Sequence, residues 1–351
     1  MDSNKLIYAR VTSDPQSDQF DVVSKFKNLY QAGLIKVPYV ASPATGSGPN
    51  PWCIDINFLP AFLDIPDFTN FESVTNIRAQ EVENHYKNID GPIVVFWSGG
   101  IDSTVILAAI LKNFSKHLLE RLVVKMTKDS YYENPCFFEK FIKNKIKYTT
   151  GPINLDSSSV IHGWGADSLW SDINSILLNK FSPGCIHLNP LTAPDILLQW
   201  LLNKIKNHDT VHWFYDMIIQ NSTSSNVTLN NYDDFWWWWC YNYVYAGNYF
   251  YSTDYIELSC TTKIDIETFN KKNIAWYFSS GYRSWGLLSR SKVFDGSLRS
   301  HKLEAKNYIF SLDKNPWYRD HKFKLDSNRS CKNNQVISKI DTEFNLYWTV
   351  N

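Results

Sequence analysis

A loop of glycine, serine and aspartate residues has the side-chain types of a phosphate-binding site. The run Ser98-Gly-Gly-Ile-Asp-Ser103 follows a β-branched and aromatic segment at 93–97 and precedes an apolar segment at 104–111. This pattern predicts a buried strand, a turn and a helix. Glycines let a backbone approach phosphate oxygens closely, and a helix N-terminus offers unpaired N–H groups and the positive end of the dipole. The two serines add hydroxyl donors, and Asp102 is a candidate metal ligand.

The loop differs from a Walker phosphate loop, because the glycine-lysine-serine/threonine ending of that motif is absent. Transfer of a γ-phosphate is therefore disfavoured. A turn of this composition between a strand and a helix can also arise for steric reasons alone, which leaves a structural interpretation open. The candidate nucleotide-binding residues of the loop are Ser98, Gly99, Gly100, Asp102 and Ser103.

A second glycine turn follows the apolar run Ser158–His162 and has the sequence Gly163-Trp-Gly-Ala-Asp167. In a parallel sheet this turn could lie beside the first one, so that Asp102 and Asp167 share one Mg²⁺ bound to phosphates. Gly163 and Trp164 are further candidates for nucleotide contact. The alternative is that both acids only cap helix N-termini. His162 is interpreted as a strand residue rather than a catalyst.

Alternating strands and helices must position these turns. Strands are predicted at Leu122–Met126 and Ser158–His162, with a helix at Pro135–Ile146 capped by Asn134. We therefore expect an α/β fold with a doubly wound parallel sheet, whose ligands bind at the carboxyl ends of the strands. This rule makes Met126 a candidate wall for an adenine ring, although the sequence favours a core methionine over that role.

Composition separates the chain into a small N-terminal extension with a linker, residues 1–75, and a main domain, residues 76–351. Beyond residue 175 the strand signal fades and helical segments dominate, including Pro194–Lys204 and Asp233–Phe250. The latter contains four consecutive tryptophans, Trp236 to Trp239, which point all round a helix axis and favour a buried core helix over a substrate pocket or interface.

Charge and hydropathy narrow the function classes. Lysine and arginine balance aspartate and glutamate at 35 each, which argues against a nucleic-acid partner. No apolar stretch is long enough to span a bilayer and no signal peptide is recognisable, so we expect a cytoplasmic protein with no membrane association. The six cysteines are not spaced as a zinc or redox motif and are interpreted as free thiols.

The two glycine turns together resemble the synthetase domain of asparagine synthetases, within the N-type ATP pyrophosphatase (PP-loop) superfamily. Ser98 to Ser103 matches the pyrophosphate loop, and Gly163 to Asp167 matches the second motif, Gly-x-Gly-(Ala/Ser)-Asp. The resemblance implies an adenine nucleotide alpha hydrolase-like fold with a helical C-terminal part. It also implies ATP and Mg²⁺ as cofactors and cleavage of ATP between the α- and β-phosphates.

The chain departs from that family at several positions. The residue between the two glycines is usually acidic in asparagine synthetases, but here it is Trp164, and Ser168 stands where a further acid is usual. The chain begins Met1-Asp2, without the cysteine nucleophile of a glutaminase domain, and the first loop arrives by residue 98. We therefore expect ammonia or an amine from solution, from the substrate or from a separate donor protein, and a product other than asparagine.

The family also has a lysine near its C-terminus that reaches the phosphates. The segment Phe294–Phe310 predicts a helix entered from a turn, and Asn315–Ser327 resembles the proline and lysine-bearing loop that follows. Lys322 and Lys324 are accordingly the candidate catalytic residues, with a solvated basic edge as the alternative.

These features predict an ATP-dependent, AMP-forming ligase that adenylates a small-molecule carboxylate and transfers the acyl group to ammonia or an amine. Two alternatives stay open. One is adenylation of a nucleobase carbonyl in nucleic-acid modification, and the other is a catalytically silent ATP-binding scaffold.

Overall fold

A five-stranded sheet, in which every neighbouring pair of strands is parallel, forms the centre of the fold. The computed structural model describes residues 6–7, 56–58, 70–154, 157–163, 166–170, 198–199, 201–203, 206–224, 227–229, 232–239, 272–277, 279–288 and 302–322. The strands of the sheet are β3 (Ile93–Phe96), β4 (Leu122–Lys125), β5 (Lys147–Thr149), β6 (Ser159–His162) and β7 (Asn273–Ala275), while β1 (Leu6–Ile7) and β2 (Ile56–Phe58) form an antiparallel pair.

Helices connect and cover the sheet, so the chain has an α/β fold. They are α1 (Phe71–Tyr86), α2 (Ile101–Asn113), α3 (Lys116–Leu119), α4 (Lys128–Glu133), α5 (Pro135–Phe137), α6 (His208–Ser224), α7 (Tyr232–Trp239), α8 (Ser280–Leu288), α9 (Leu303–Asp313) and α10 (Pro316–His321). A π-helical turn spans Phe138–Ile142 and a 3₁₀ turn spans Ala166–Leu169.

The spatial order of the strands, β5-β4-β3-β6-β7, creates a topological switch point. From β3 the chain proceeds to β4 and β5 on one side, and β6 and β7 then continue the sheet on the other side. The crevice in such a sheet opens between the loops that leave the two central strands at their carboxyl ends. Here those loops follow β3 and β6, and they are the two glycine turns.

The central strand and its following helix are held by burial on all sides. Ile93, Val94 and Val95 in β3 are buried, as expected for a strand covered on both faces. Helix α2 is buried from Ile101 almost continuously to Ile110 and packs against both α1 and α9. A helix with apolar residues all round its axis needs such neighbours. The packing therefore brings the C-terminal segment of the chain to the helix that starts at the glycine loop.

The sequence predicted the central elements of the sheet. The strands β3, β4 and β6 and the helix α2 are confirmed, and the Asn134 side chain caps α5 by accepting the Phe137 N–H at 3.2 Å. The helix expected at 135–146 is too long. The α-helix α5 ends at Phe137, and the π-helical turn that follows it ends at Ile142. Strands β5 and β7 were not predicted, and β7 lies in a region where helical segments were expected to dominate.

Helix α1 starts at Phe71 and joins the core of the main domain, so the proposed boundary between residues 75 and 76 falls inside it. Trp237 and Trp238 in α7 are fully buried, as a core helix requires. Residues 194–197 and 240–250 of the two predicted C-terminal helices, and most of the proposed N-terminal extension and linker, lie outside the described residues. In the part of the chain that is described, no helix combines the length and apolarity needed to cross a membrane.

Asp313 ends α9 in a buried position that costs stability when its carboxylate is charged. One carboxylate oxygen accepts the Asn315 N–H at 2.9 Å, and the other has no hydrogen-bond partner among the described residues. Burial raises the pKa of Asp313 to about 6, against opposing effects of the Asn315 N–H, Lys140 and Lys314. The folded protein therefore holds this proton more tightly than the unfolded chain does.

We expect replacement of Asp313 by asparagine to remove a pH dependence of stability. Between about pH 4 and pH 6 the unfolded chain loses the proton while the folded protein keeps it, so the free energy of unfolding falls as pH rises. The raised pKa corresponds to about 3 kcal/mol across that window. Urea unfolding at several pH values should show this fall in the wild type and not in Asp313→Asn. The exposed Asp90→Asn serves as the control, and an identical slope in wild type and Asp313→Asn would contradict the assignment.

Candidate functional site

The glycine loop after β3 is held together by its own serine hydroxyls. Ser103 Oγ accepts the Ser98 N–H at 3.1 Å, lies 3.0 Å from Ser98 Oγ and donates to the Gly100 carbonyl at 3.2 Å. The Gly100 N–H donates to Ser98 Oγ at 3.3 Å, which is long for such a bond. The hydroxyls of Ser98 and Ser103, which the sequence predicted as donors to phosphate, therefore hold the loop in its conformation.

The two glycines of the loop have different structural roles. Gly99 has a φ of +78°, and a Cβ atom there would lie 2.3 Å from the Ser130 carbonyl oxygen and 2.5 Å from Glu133 Cβ. Gly100 has an ordinary φ of −69°, and a Cβ atom there would meet only Ser98 Oγ, at 3.2 Å. The fold therefore requires the first glycine, whereas nothing in the described surroundings requires the second.

Gly163, the first residue of the second glycine turn, lies beside the first turns of α2. Strand β6 pairs with β3 in register, and a Cβ atom at Gly163 would lie 2.8 Å from Ile106 Cδ1 and 3.8 Å from the carbonyl carbon of Asp102. Trp164 lies outside the described residues. Asp167 belongs to the 3₁₀ turn Ala166–Leu169, but its side chain is not described. The structure thus brings Gly163 to the first turn of α2 and leaves the metal pairing of Asp102 with Asp167 as a prediction.

Asp102 is the point where three distant parts of the chain meet. The Lys302 ammonium donates to both carboxylate oxygens at 2.7 Å, and the Tyr277 hydroxyl donates to the Asp102 backbone carbonyl at 2.8 Å. The Lys302 side chain is 2% exposed and the Asp102 side chain 26% exposed. Lys302 has a left-handed backbone and immediately precedes α9. This buried ion pair fixes the start of α9 against the glycine loop.

Two more buried lysines stand near Lys302, and we call Lys302, Lys306 and Lys322 the lysine cluster. Lys306 follows Lys302 by four residues, and its backbone N–H donates to the Lys302 carbonyl at 3.0 Å. Burial lowers the pKa of Lys306 to about 8; Asp320 opposes this shift, and the ammonium groups of Lys302 and Lys322 add to it. The fold therefore gathers three lysines, together with the carboxylates of Asp102, Glu133 and Asp320, at the carboxyl edge of the sheet.

Lys322 anchors the end of α10 to the other side of the loop. Its ammonium donates to the Glu133 carboxylate and, at 3.2 Å, to the Glu133 carbonyl. Burial lowers the pKa of Lys322, and Glu133 opposes that shift. Glu133 is also the residue whose Cβ crowds Gly99. Lys322, a candidate from the sequence, thus lies beside the loop, while Lys324 is outside the described residues.

Sequence reasoning missed Lys302, Lys306, Tyr277 and Glu133 as neighbours of the loop. The spacing of four between Lys302 and Lys306, within the segment predicted as a helix entered from a turn, was the available signal. Met126, the candidate adenine wall, directly follows β4, is buried and donates its N–H to the Thr149 carbonyl at 3.0 Å. It occupies the same carboxyl edge as the loop.

His162 ends β6 and is fully buried, and burial lowers its pKa to about 3. Its imidazole is therefore neutral at physiological pH, consistent with a strand residue. Cys136 is a free thiol whose pKa is raised by burial. The other five cysteines lie outside the described residues.

Within the described ranges, no group of three or more histidine, cysteine, aspartate or glutamate residues is placed to hold a metal ion. Asp102 still has the capacity to contact a cation, because a carboxylate offers about four lone-pair sites and Lys302 uses only part of them. The residue therefore fits a Mg²⁺ whose remaining ligands are phosphate oxygens and water.

The fold and the site together define an α/β protein with a glycine loop and a lysine cluster at the switch point of a parallel sheet. Comparison of the chain with protein-family models, curated proteins and solved structures finds no match. The function is therefore argued from the site.

We expect the two loop glycines to respond differently to alanine. Gly99→Ala forces a Cβ into a left-handed conformation, which costs about 1–2 kcal/mol, and adds the overlap with Ser130 and Glu133. Gly100→Ala should reduce the free energy of unfolding less than Gly99→Ala does, because its φ suits any residue and the added Cβ meets only the Ser98 hydroxyl among the described residues. Urea unfolding of both variants checks this contrast, and equal destabilisation would show that Gly100 is also required by the fold.

Proposed function

We propose that the protein is an ATP-dependent, AMP-forming ligase that adenylates a carboxylate and transfers the acyl group to ammonia or an amine. The observation that carries the proposal is the convergence of the lysine cluster on the Ser98–Ser103 loop at the switch point of the sheet. Loop amides, the positive end of the α2 dipole and several ammonium groups together suit a ligand with more than one negative charge.

The lysine cluster supports a polyphosphate ligand in particular. Burial lowers the pKa of Lys306, and the nearby charges of Lys302 and Lys322 add to this effect while Asp320 opposes it, so a bound anion would stabilise the charged ammonium. Pyrophosphate carries the charge and the extended shape to contact the loop and the cluster at once. Phosphate oxygens also accept hydrogen bonds from ammonium groups strongly.

Gly100 gives a second, independent argument for a ligand. Among the described residues, a Cβ atom at Gly100 would meet only the Ser98 hydroxyl, at 3.2 Å, so a glycine here leaves the backbone open to close approach by another molecule. Gly100 is also the N-cap of α2, a position that favours glycine and exposes the N–H groups of the first helical turn.

The reaction follows from the type of loop. A carboxylate oxygen of the substrate attacks the α-phosphorus of ATP, a new O–P bond forms, and the bond to the β-phosphate oxygen breaks to release pyrophosphate. The nitrogen of ammonia or an amine then attacks the acyl carbon, AMP leaves, and the amine proton passes to solvent. Cleavage between the α- and β-phosphates is proposed because the sequence resembles PP-loop enzymes and lacks the Walker ending.

Each group has a defined task in this scheme. The loop amides and the lysine cluster bind the β- and γ-phosphates and stabilise the charge that develops on the leaving pyrophosphate. Asp102, with Asp167 as its proposed partner, would hold Mg²⁺, which neutralises phosphate charge when bound. Met126 would contact the adenine ring, and Gly163 and Trp164 would contact the nucleotide from the loop after β6.

The products formed from ATP test this proposal. The protein is incubated with ATP labelled at the α-phosphate, Mg²⁺, ammonia and pools of small carboxylic acids and amines, and the nucleotide products are separated. We expect AMP and an equal amount of pyrophosphate, with none from Lys302→Met. ADP and inorganic phosphate would contradict the proposal. ATP binding without turnover would favour the scaffold, and AMP formed only with added RNA or DNA would favour nucleic-acid modification.

We expect pyrophosphate affinity to decrease as pH rises through about 8, because Lys306 loses its proton there and binding requires the charged form. One coupled proton weakens binding by up to about tenfold per pH unit above the pKa. Calorimetric titration with pyrophosphate should show this decrease in the wild type and in Lys112→Met, which alters the far end of α2. Lys306→Met should bind more weakly at neutral pH and lack the decrease; if it keeps the decrease, Lys306 is not the group responsible.

A further inference from the structure

Helix α10 contacts the glycine loop through one fully buried hydroxyl. Tyr318 donates its O–H to the Gly99 carbonyl at 3.1 Å. The helix itself is fixed at its start, where Asn315 Oδ1 accepts the Tyr318 N–H at 3.2 Å, and at its end, where Lys322 binds Glu133. The hydroxyl therefore reaches the loop from an element anchored on both sides of the contact.

This contact decides which way the Gly99–Gly100 peptide faces. A peptide between two glycines has few steric restraints, and Gly99 already has a positive φ. In a trans peptide the carbonyl and the following N–H point in opposite directions. A hydrogen bond that holds the Gly99 carbonyl toward α10 thus directs the Gly100 N–H away from α10. Among the described residues, that N–H makes the long contact with Ser98 Oγ described above, which a stronger acceptor can replace.

Tyr318 is suited to a permanent donor role. Burial raises its pKa well above the ordinary value, despite an opposing hydrogen bond with Thr104, so the hydroxyl stays protonated throughout the physiological range. A second buried tyrosine on the neighbouring helix has a comparable bond away from the loop: Tyr308 donates to Asn76 Oδ1 at 2.7 Å. The chain therefore offers a matched control.

We propose that Tyr318 is a positioning residue that sets the Gly99–Gly100 peptide so that the Gly100 N–H donates to a phosphate oxygen of the nucleotide. The inference rests on the proposed function, because it concerns the same pyrophosphate site. Tyr318 acts through the loop backbone and does not itself touch the ligand.

The test uses the full chain labelled with ¹⁵N-glycine, which gives at most 14 amide signals. The Gly100 signal is identified by its loss in Gly100→Ala, and pyrophosphate is the probe. In the wild type we expect a downfield proton shift of the Gly100 amide on binding, as a charge-assisted hydrogen bond replaces the long one. In Tyr318→Phe we expect this shift to be lost and pyrophosphate affinity to fall about tenfold, the scale of one hydrogen bond to a charged group. Tyr308→Phe should retain both.

Stability measurements separate positioning from a structural effect. Each Phe variant loses one buried hydroxyl, so a similar decrease in the free energy of unfolding is expected for both, whereas only Tyr318→Phe should lose the Gly100 shift. If Tyr318→Phe retains the shift and the affinity, the inference is wrong and the proposed function stands. If the wild type binds neither pyrophosphate nor ATP, the proposed function and the inference both fail.

Discussion

The ion pair between Lys302 and Asp102 is the interaction on which the site depends. It joins residues 200 positions apart, and the lysine side chain is almost completely buried. A buried ammonium group is stable only when it is paired, and removal of one partner of a buried pair typically costs about 3–5 kcal/mol. Because α9 starts at the residue after Lys302, the pair also sets the positions of Lys306 and of the α10 residues that contact the loop.

The lysine cluster is costly unless it has a function. Lys302 and Lys322 each face a carboxylate, and burial depresses the pKa of Lys306, an effect that Asp320 opposes and the neighbouring ammonium groups add to. Proteins keep such strained charges mainly where a ligand or a reaction uses them. The position of the cluster gives the second half of this argument, since the loops after β3 and β6 bound the crevice in which parallel sheets bind their ligands. The lysine cluster and the order of the strands thus indicate the same location for a ligand, beside the loop after β3.

The sequence pattern predicted the part of the site that lies within one continuous segment of the chain. The apolar residues of β3 and α2 and the glycines between them form one continuous segment, and the structure follows it closely. Strand β5 is a three-residue edge strand with exposed Lys147 and Tyr148, and β7 is equally short, so neither has a periodic signal. The contacts of Asp102 with Lys302 and Tyr277 depend on the packing of α9 and β7 and cannot be derived from spacing. The interval of four residues between Lys302 and Lys306 was the sequence signal that pointed to this part of the site.

The central claim is that the glycine loop and the segment 302–322 form a single site for the pyrophosphate part of ATP. Amide hydrogen exchange, measured with and without ligand, tests this claim most directly. ATP with Mg²⁺, and pyrophosphate alone, should each slow exchange in peptides covering residues 98–104 and 302–322 together, and Lys302→Met should abolish both effects. Protection confined to one of the two segments, or absent from both, would contradict the account.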